Sequence, residues 1–332
     1  MLLTSLVMED DAPSPADLSL RSVVVGLGLA LLFALALYAQ AHLMDRDDVN
    51  RSSFITLSFL FGMPMVAPAI LVRMVDPRGR LRQRVHGLLG LGMFLLLAVA
   101  GLLVDGWGVC LVLAAPLFLV LSPLAAITTG QWLRQRGTLG VSLLPVLPFV
   151  LLPFDRQFPP PAEPVAVSTT RFIPSPPQQV WSALIEVRGI RPAEQRFTWA
   201  QSVLAIPRPV DARLDHAGVG GVRHVRWERG VHFQEVVTDW QAGRRLAWRF
   251  AFQPDSFGEA IDGHIWPDSA YLKVNAGEYR LQPVPGGTRV TLVTRYRLAT
   301  RLNGWCKLWG QWLIDDFHRN VLHVIAGRAA KA

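Results

Sequence analysis

Hydrophobic positions divide this chain in two. From residue 22 to about 154 they come in long unbroken runs, and from Val165 onward they alternate with polar residues between glycines and prolines. An uncharged run of about twenty residues crosses a ~30 Å hydrocarbon core as a helix. Alternation with period two builds half-buried strands instead. Residues 22–41, 54–72, 87–104 and 109–128 therefore predict four spans. Pro64 and Pro68 predict a kink in the second. Only Asp105-Gly106-Trp107-Gly108 separates the third from the fourth, so these two form an antiparallel hairpin with Trp107 at the interface. The uncharged stretch 139–154 is short and holds Pro145, Pro148 and Pro153. It is read as a fifth span, with an interfacial or re-entrant segment as the alternative.

The second half begins with an alternating, β-branched stretch at 165–172, a strand that Pro174-Ser175-Pro176-Pro177 brings to an end. A proline in the first helical turn costs little, because its missing N–H has no partner there anyway. Val180, Trp181, Leu184 and Ile185 then share one face of a short helix. A Pro- and Arg-rich insert follows at 188–218, with no role legible in it. Strands are predicted at 222–228, 231–240, 245–253, 271–283 and 288–298, joined by Gly-containing turns as in an antiparallel meander. Residues 302–328 predict one long helix with Trp305, Leu308, Trp309, Trp312, Leu313, Val324 and Ile325 on a broad apolar stripe. Asp315, Asp316 and His318 are then expected to point outward.

A strand, a small-residue and proline turn, a Val-Trp helix, a meander and a Trp-rich last helix resemble the START-like, helix-grip (SRPBCC) superfamily, in particular its polyketide cyclase/dehydrase-like branch. The closest segments are 170–187, 235–250 and 278–296. The resemblance implies a curved antiparallel sheet around a long C-terminal helix, with a cavity between them. The expected fold class is α+β: four to five transmembrane helices followed by a helix-grip domain. The expected division is a polar lead (1–21), a transmembrane region (22–154), a Pro-rich linker (155–164) and a ligand-binding domain (165–332).

Composition sharpens this picture. Of 332 residues, 51% are hydrophobic, and the mean hydropathy of +0.30 is high for a chain without membrane spans. The formal charge of +8 lies wholly in the second half, where 22 Lys/Arg face 14 Asp/Glu; the first half holds 11 of each. A basic domain beside a bilayer is drawn to anionic headgroups, and Arg244, Arg245, Arg295 and Arg297 are the candidates for that contact. Orientation follows the arginines. Arg73, Arg78, Arg80, Arg82, Arg84, Arg134 and Arg136 fall on one side, and Arg46 and Arg51 on the other. That places the amino terminus in the cytoplasm. Five spans then put the C-terminal domain in the periplasm of a bacterial inner-membrane protein. Ala39-Gln40-Ala41 has a small-x-small pattern, but the acidic leader and long apolar run favour an uncleaved anchor over a signal peptide.

Candidate chemistry is sparse. Cys110 and Cys306 form no CxxC pair or metal-spaced cluster, so no metal or cofactor is expected. P-loop, GxGxxG, GxSxG and HExxH motifs are missing, and so are nucleic-acid recognition elements, which leaves no nucleic-acid partner expected. The functional signal is aromatic. Trp248, Phe250 and Phe252 alternate on one strand, with Tyr279 and Tyr296 on later ones, placed to fill the core or to line the cavity. Asp262 and His264, in a Gly/Pro-rich loop at the expected mouth, are the polar candidates for orienting a ligand. His224 and His232 read as a solvated hairpin face, with Glu235 nearby. The expected partners are the membrane and an apolar small molecule or lipid, bound without catalysis. The alternatives are an aromatase/cyclase-like enzyme and a regulatory or scaffold protein.

Overall fold

The computed structural model describes residues 19–44, 57–104, 108–136, 144–158, 160–257 and 266–331. Most of the polar lead and the 105–107 turn with Trp107 lie outside the described residues. The first half forms α1 (Leu20–Met44), α2 (Leu57–Leu60), α3 (Gly62–Val75), α4 (Gln83–Val104), α5 (Val109–Arg136) and α6 (Val146–Gln157). Phe61 joins α2 to α3, so among the described residues four helices of 24, 19, 22 and 28 residues are long and apolar enough to cross a membrane. The chain is a multi-pass membrane protein. Proline bounds and interrupts α6, at Pro145 and Pro153, and it has only twelve residues. Such a helix is about 18 Å long. Among the described residues the fifth span is therefore not a spanning helix; residues 139–143 lie outside them.

Small residues let the helical backbones meet, the usual basis of packing between membrane helices. A Cβ on Gly90 would fall 2.5 Å from the Ser122 carbonyl oxygen, and one on Gly26 would fall 3.0 Å from Leu71. The α3–α4 turn is fixed by Asp76, which accepts from the N–H groups of Arg80 and Leu81 at 2.9 and 2.8 Å and contacts His86 Nε2 at 3.0 Å. Burial raises the Asp76 pKa, but these donors outweigh it and hold the carboxyl below its ordinary value. Arg134, near the end of α5, donates to the carbonyls of Gly79 and Leu81. The arginine-rich turn and the end of α5 thus share one end of the bundle.

The second half forms a seven-stranded antiparallel sheet in the order β1-β7-β6-β5-β4-β3-β2. Its strands are β1 (Glu163–Ile173), β2 (Pro209–Leu214), β3 (Val222–Trp227), β4 (His232–Gln241), β5 (Arg245–Ala251), β6 (Leu272–Val284) and β7 (Gly287–Leu298). The strict in–out alternation along β1 is the burial pattern expected from its sequence. β2 belongs to the 188–218 insert, where no strand is predicted. It holds only six residues and starts at a proline, so it carries little alternation to detect.

Among the described residues three α-helices complete the domain: α7 (Pro177–Ile185), α8 (Trp199–Ser202) and α9 (Asn303–Ala329). Pro177 occupies the first turn of α7. Register shifts in β4 and β6 bend the sheet around α9. The core joins Val180, Trp181 and Leu184 of α7 to Leu246, Val290 and Leu292 of the sheet and to Leu322, Ile325 and Ala329 of α9. The turn before α7 is tied to both partners. Ser175 Oγ donates to the Ala329 carbonyl, and Thr288 Oγ1 donates to that of Ser175.

This arrangement corrects the expected apolar stripe. Leu308 and Trp312 are exposed, and the packed side of α9 is carried by its second half. His318 is buried, Asp315 accepts from Thr169, and Asp316 accepts from the Ala200 N–H. The outer face of the sheet also differs from expectation. Arg245 and Arg295 pair at 2.7 Å with the fully buried Glu278, and Arg280 joins them. Burial opposes the Glu278 charge, yet the three guanidinium groups hold its pKa at about 2. Two of the four arginines considered for headgroups are thus committed to a carboxylate.

Leu322 is fully buried, whereas Leu308 is 60% exposed. Leu322→Ala is expected to destabilise the domain by about 2–5 kcal/mol, and Leu308→Ala by less than about 0.5 kcal/mol. Denaturant midpoints of the two variants check this; equal shifts would contradict the assignment of the packed half.

Candidate functional site

The bend of the sheet leaves its concave side incompletely filled, and a cavity of about 310 Å³ lies between that side and α9. Aromatic rings from neighbouring strands build the strand-side wall. Phe233, Phe250 and Phe252 meet at centroid distances of 5.7–6.0 Å, and Trp248 meets Tyr279 at 5.2 Å. Trp248 lies over Gly277, its cross-strand partner, where a Cβ would come within 2.4 Å of the indole. The glycine therefore sets where that ring can rest. Leu313, Phe317, Val321 and Ile325 of α9 form the opposite wall, with Val187, Ile206 and Val225 at one side.

Among the described residues few polar groups reach this cavity; most are paired, while the buried Trp248 Nε1 and Arg223 Nε have no hydrogen-bond partner. Arg223 and Glu235 are cross-strand partners on β3 and β4, paired at 2.7 Å with side chains 4% and 10% exposed. Arg223 also donates to the Leu184 carbonyl and lies over the Trp248 ring at 5.6 Å. Burial pushes the Glu235 pKa up, partly opposed by Arg223. Burial likewise pushes the Tyr279 hydroxyl up to about 12. His318 sits between two hydroxyls, Thr169 Oγ1 at 3.0 Å from Nδ1 and Thr294 Oγ1 at 2.8 Å from Nε2. Asp211 accepts from the Gly189 N–H and pairs with Arg213 and Arg226. The Arg223–Glu235 pair and the His318–Thr294 contact tie neighbouring elements of the wall together.

Residues 164–329 match the family described as polyketide cyclase / dehydrase and lipid transport. The chain belongs to that family. None of the curated proteins compared matches it. Among solved structures, a protein from Nitrosomonas europaea is 16% identical, with a TM-score of 0.30, covering 50% of this chain and 95% of its own. A protein from Thermus thermophilus is 16% identical, with a TM-score of 0.31, covering 50% and 98%. A truncated norcoclaurine synthase from Thalictrum flavum is 7% identical, with a TM-score of 0.34, covering 52% and 96%. Likenesses this distant say nothing about activity.

Within this member of the family, Trp248, Phe250, Phe252 and Tyr279 line the cavity together. Tyr296 does not. It packs with Val165, Val167 and Leu298 in a separate cluster and lies against Gly310 of α9. Asp262 and His264 lie outside the described residues. His224 is exposed, and His232 is half-exposed beside Asp255, on the solvated side expected of them. Sequence reasoning missed Trp227, Phe233, Phe257 and the Arg223–Glu235 pair. Strand alternation held part of the signal, since Arg223, Val225 and Trp227 share a parity, but counting outward from an Arg229-Gly230 turn sets Arg223 opposite Val236. The observed three-residue link Glu228–Gly230, with Arg229 at positive φ, moves the register by one to Glu235.

Burial holds the His318 pKa down at about 4, against the pull of Asp315. In the unfolded chain the imidazole takes up its proton near its ordinary value of about 6.5. Stability from the neutral, buried ring is therefore full above about pH 6.5 and is lost as pH falls toward about 4, by an amount on the order of 3 kcal/mol. His318→Asn should flatten this part of the stability profile. Chemical denaturation at steps between pH 7 and 4.5 checks it, and an unchanged slope would contradict it.

Proposed function

We propose that this protein holds an apolar, lipid-like ligand in the cavity between sheet and α9, without transforming it. One observation carries the reading: among the described residues the cavity wall is mostly aromatic and aliphatic, with Arg223 paired to Glu235 and His318 held between Thr169 and Thr294. Burial of apolar surface drives association at such a wall, worth about 25 cal/mol per Å². A volume of about 310 Å³ is at the lower end of the ~300–1,000 Å³ usual for ligand sites. That size suits one hydrocarbon chain or a small fused-ring system. Membership of a family whose description includes lipid transport supports the same reading.

Native mass spectrometry of the purified protein should release a co-purified apolar molecule of unaltered structure, and a fluorescent fatty acid should compete with it. Phe250 lines the cavity and is only partly buried, so Phe250→Ala should leave the fold intact. Losing most of that ring's contact, about 1.5–3 kcal/mol, should weaken probe binding roughly tenfold or more. A folded protein that binds no probe would overturn the proposal. A second reading has one observation in its favour. Glu235, with its raised pKa, is a group in the wall that could deliver a proton, as an aromatase/cyclase-like enzyme would need. A ligand recovered chemically altered, and unaltered from Glu235→Gln, would establish that reading instead.

We further place the domain on the periplasmic side of a bacterial inner membrane. What supports this is the position of α6 within the helical unit. Pro148 lies against Gly62, Gln40 Nε2 donates to the Phe149 carbonyl, and Phe33 meets Phe149 edge-on at 5.6 Å. Gly26 meets Leu71 and Met74, so α1 and α3 run antiparallel, and Gly62 and Gln40 lie at the end of the bundle away from the arginine-rich turn. α5 ends beside that turn, and the first residues of α6 lie toward the opposite end. A C-terminal alkaline phosphatase fusion should be active and a C-terminal fusion to cytoplasm-folding green fluorescent protein dark; the reverse pair would put the domain in the cytoplasm.

A further inference from the structure

The insert at 188–218 carries a feature that the cavity does not use. Its short helix α8 is fastened to α9 by buried polar contacts. Thr198 caps α8 by accepting from the Gln201 N–H, and Asn320 Nδ2 donates to Gln201 Oε1 at 2.8 Å. Asp316 accepts from the Ala200 N–H, and Asn320 Oδ1 from the Arg196 N–H. Thr198, Gln201 and Asn320 are all buried. Yet this rigid mount presents Phe197, Trp199 and Val203 outward, 60%, 56% and 43% exposed, with the two rings in edge contact at 5.8 Å.

The same face continues along α9. Residues 308, 312 and 316 are four apart and lie above one another on a helix. Asp316 holds α8, and one and two turns before it stand Trp312 and Leu308, 40% and 60% exposed. Two indoles, a phenyl ring and two aliphatic side chains thus form one exposed apolar surface on a folded scaffold. A contiguous patch of this kind on a soluble face marks a contact site.

Arginines border it. Arg196 is exposed next to Phe197, Arg208 donates to Ser202 of α8, and Arg229 donates to the Ala205 carbonyl. Each is anchored through one part of its guanidinium and retains further donors. Tryptophan with arginine is the chemistry of the lipid headgroup region, where indole is favoured and guanidinium meets phosphate. The chain supplies such a surface itself, since it spans a bilayer and only residues 158–162 separate α6 from β1. We infer that the face formed by Phe197, Trp199, Val203, Leu308 and Trp312 docks on the surface of an anionic phospholipid bilayer. Ile206, Leu313 and Phe317, which line the cavity, are near neighbours of these residues in sequence.

The test uses the full chain in nanodiscs of phosphatidylethanolamine and phosphatidylglycerol, with p-benzoylphenylalanine replacing Trp199, Trp312 or Phe197 in turn. Val219, apolar and 66% exposed in the β2–β3 link, serves as the reference position. Illumination should give a one-phospholipid mass adduct several-fold more abundant from positions 199 and 312 than from 219. Arg196→Gln with Arg208→Gln should reduce it, as should replacing phosphatidylglycerol by phosphatidylcholine. Cross-linked dimers in place of lipid adducts would assign the face to a second copy and overturn the inference. Equal adducts from all positions, or none from any of the three, would overturn it as well.

Discussion

A strongly bent sheet cannot fill its own concave side, and everything in the second half of this chain follows from that constraint. The register shifts in β4 and β6 curl the strands, and the hollow they leave must be closed by something apolar. The second half of α9 closes it. Leu322, Ile325 and Ala329 reach the sheet through the α7 residues Val180, Trp181 and Leu184, and Ser175 and Thr288 tie the end of the helix to the turn before α7. Where this closure is complete there is core. Toward the middle of α9 it is incomplete, and the remainder is the cavity.

The two faces of the sheet handle charge in opposite ways. On the outer face, three arginines converge on Glu278 and keep it ionised. On the inner face, a single arginine pairs with Glu235, and burial moves that carboxyl the other way. The difference is the number of donors available to offset desolvation. An excess of donors outside makes a stiff electrostatic clamp across β5, β6 and β7. The sparse pairing inside leaves the described cavity wall mostly apolar.

Long uniform elements are legible in the sequence and exceptions are not. Four spans and six of the seven strands follow from run length and alternation, because burial repeats there over many residues. β2 escapes because six residues beginning at Pro209 repeat nothing. The stripe on α9 misleads for a related reason: tryptophan scores as apolar wherever it stands, but periodicity cannot tell a face turned to the core from one turned to another partner. Periodicity alone therefore turns Trp312 inward and His318 outward, the reverse of what the packing gives. Alternation on adjacent strands finds four aromatic cavity residues, whereas Tyr296, with the same parity logic, belongs to a different cluster because the helix meets β1 and β7 at another level.

The glycine beneath Trp248 has a consequence for how the family's members can diverge. Because a Cβ at Gly277 would strike the indole, the two positions are coupled: residue 277 cannot be enlarged while Trp248 keeps its place. A lineage that enlarges residue 277 must first shrink or move residue 248, so the hollow opens before it can be refilled. The outline of this cavity is therefore remodelled by paired changes at 248 and 277.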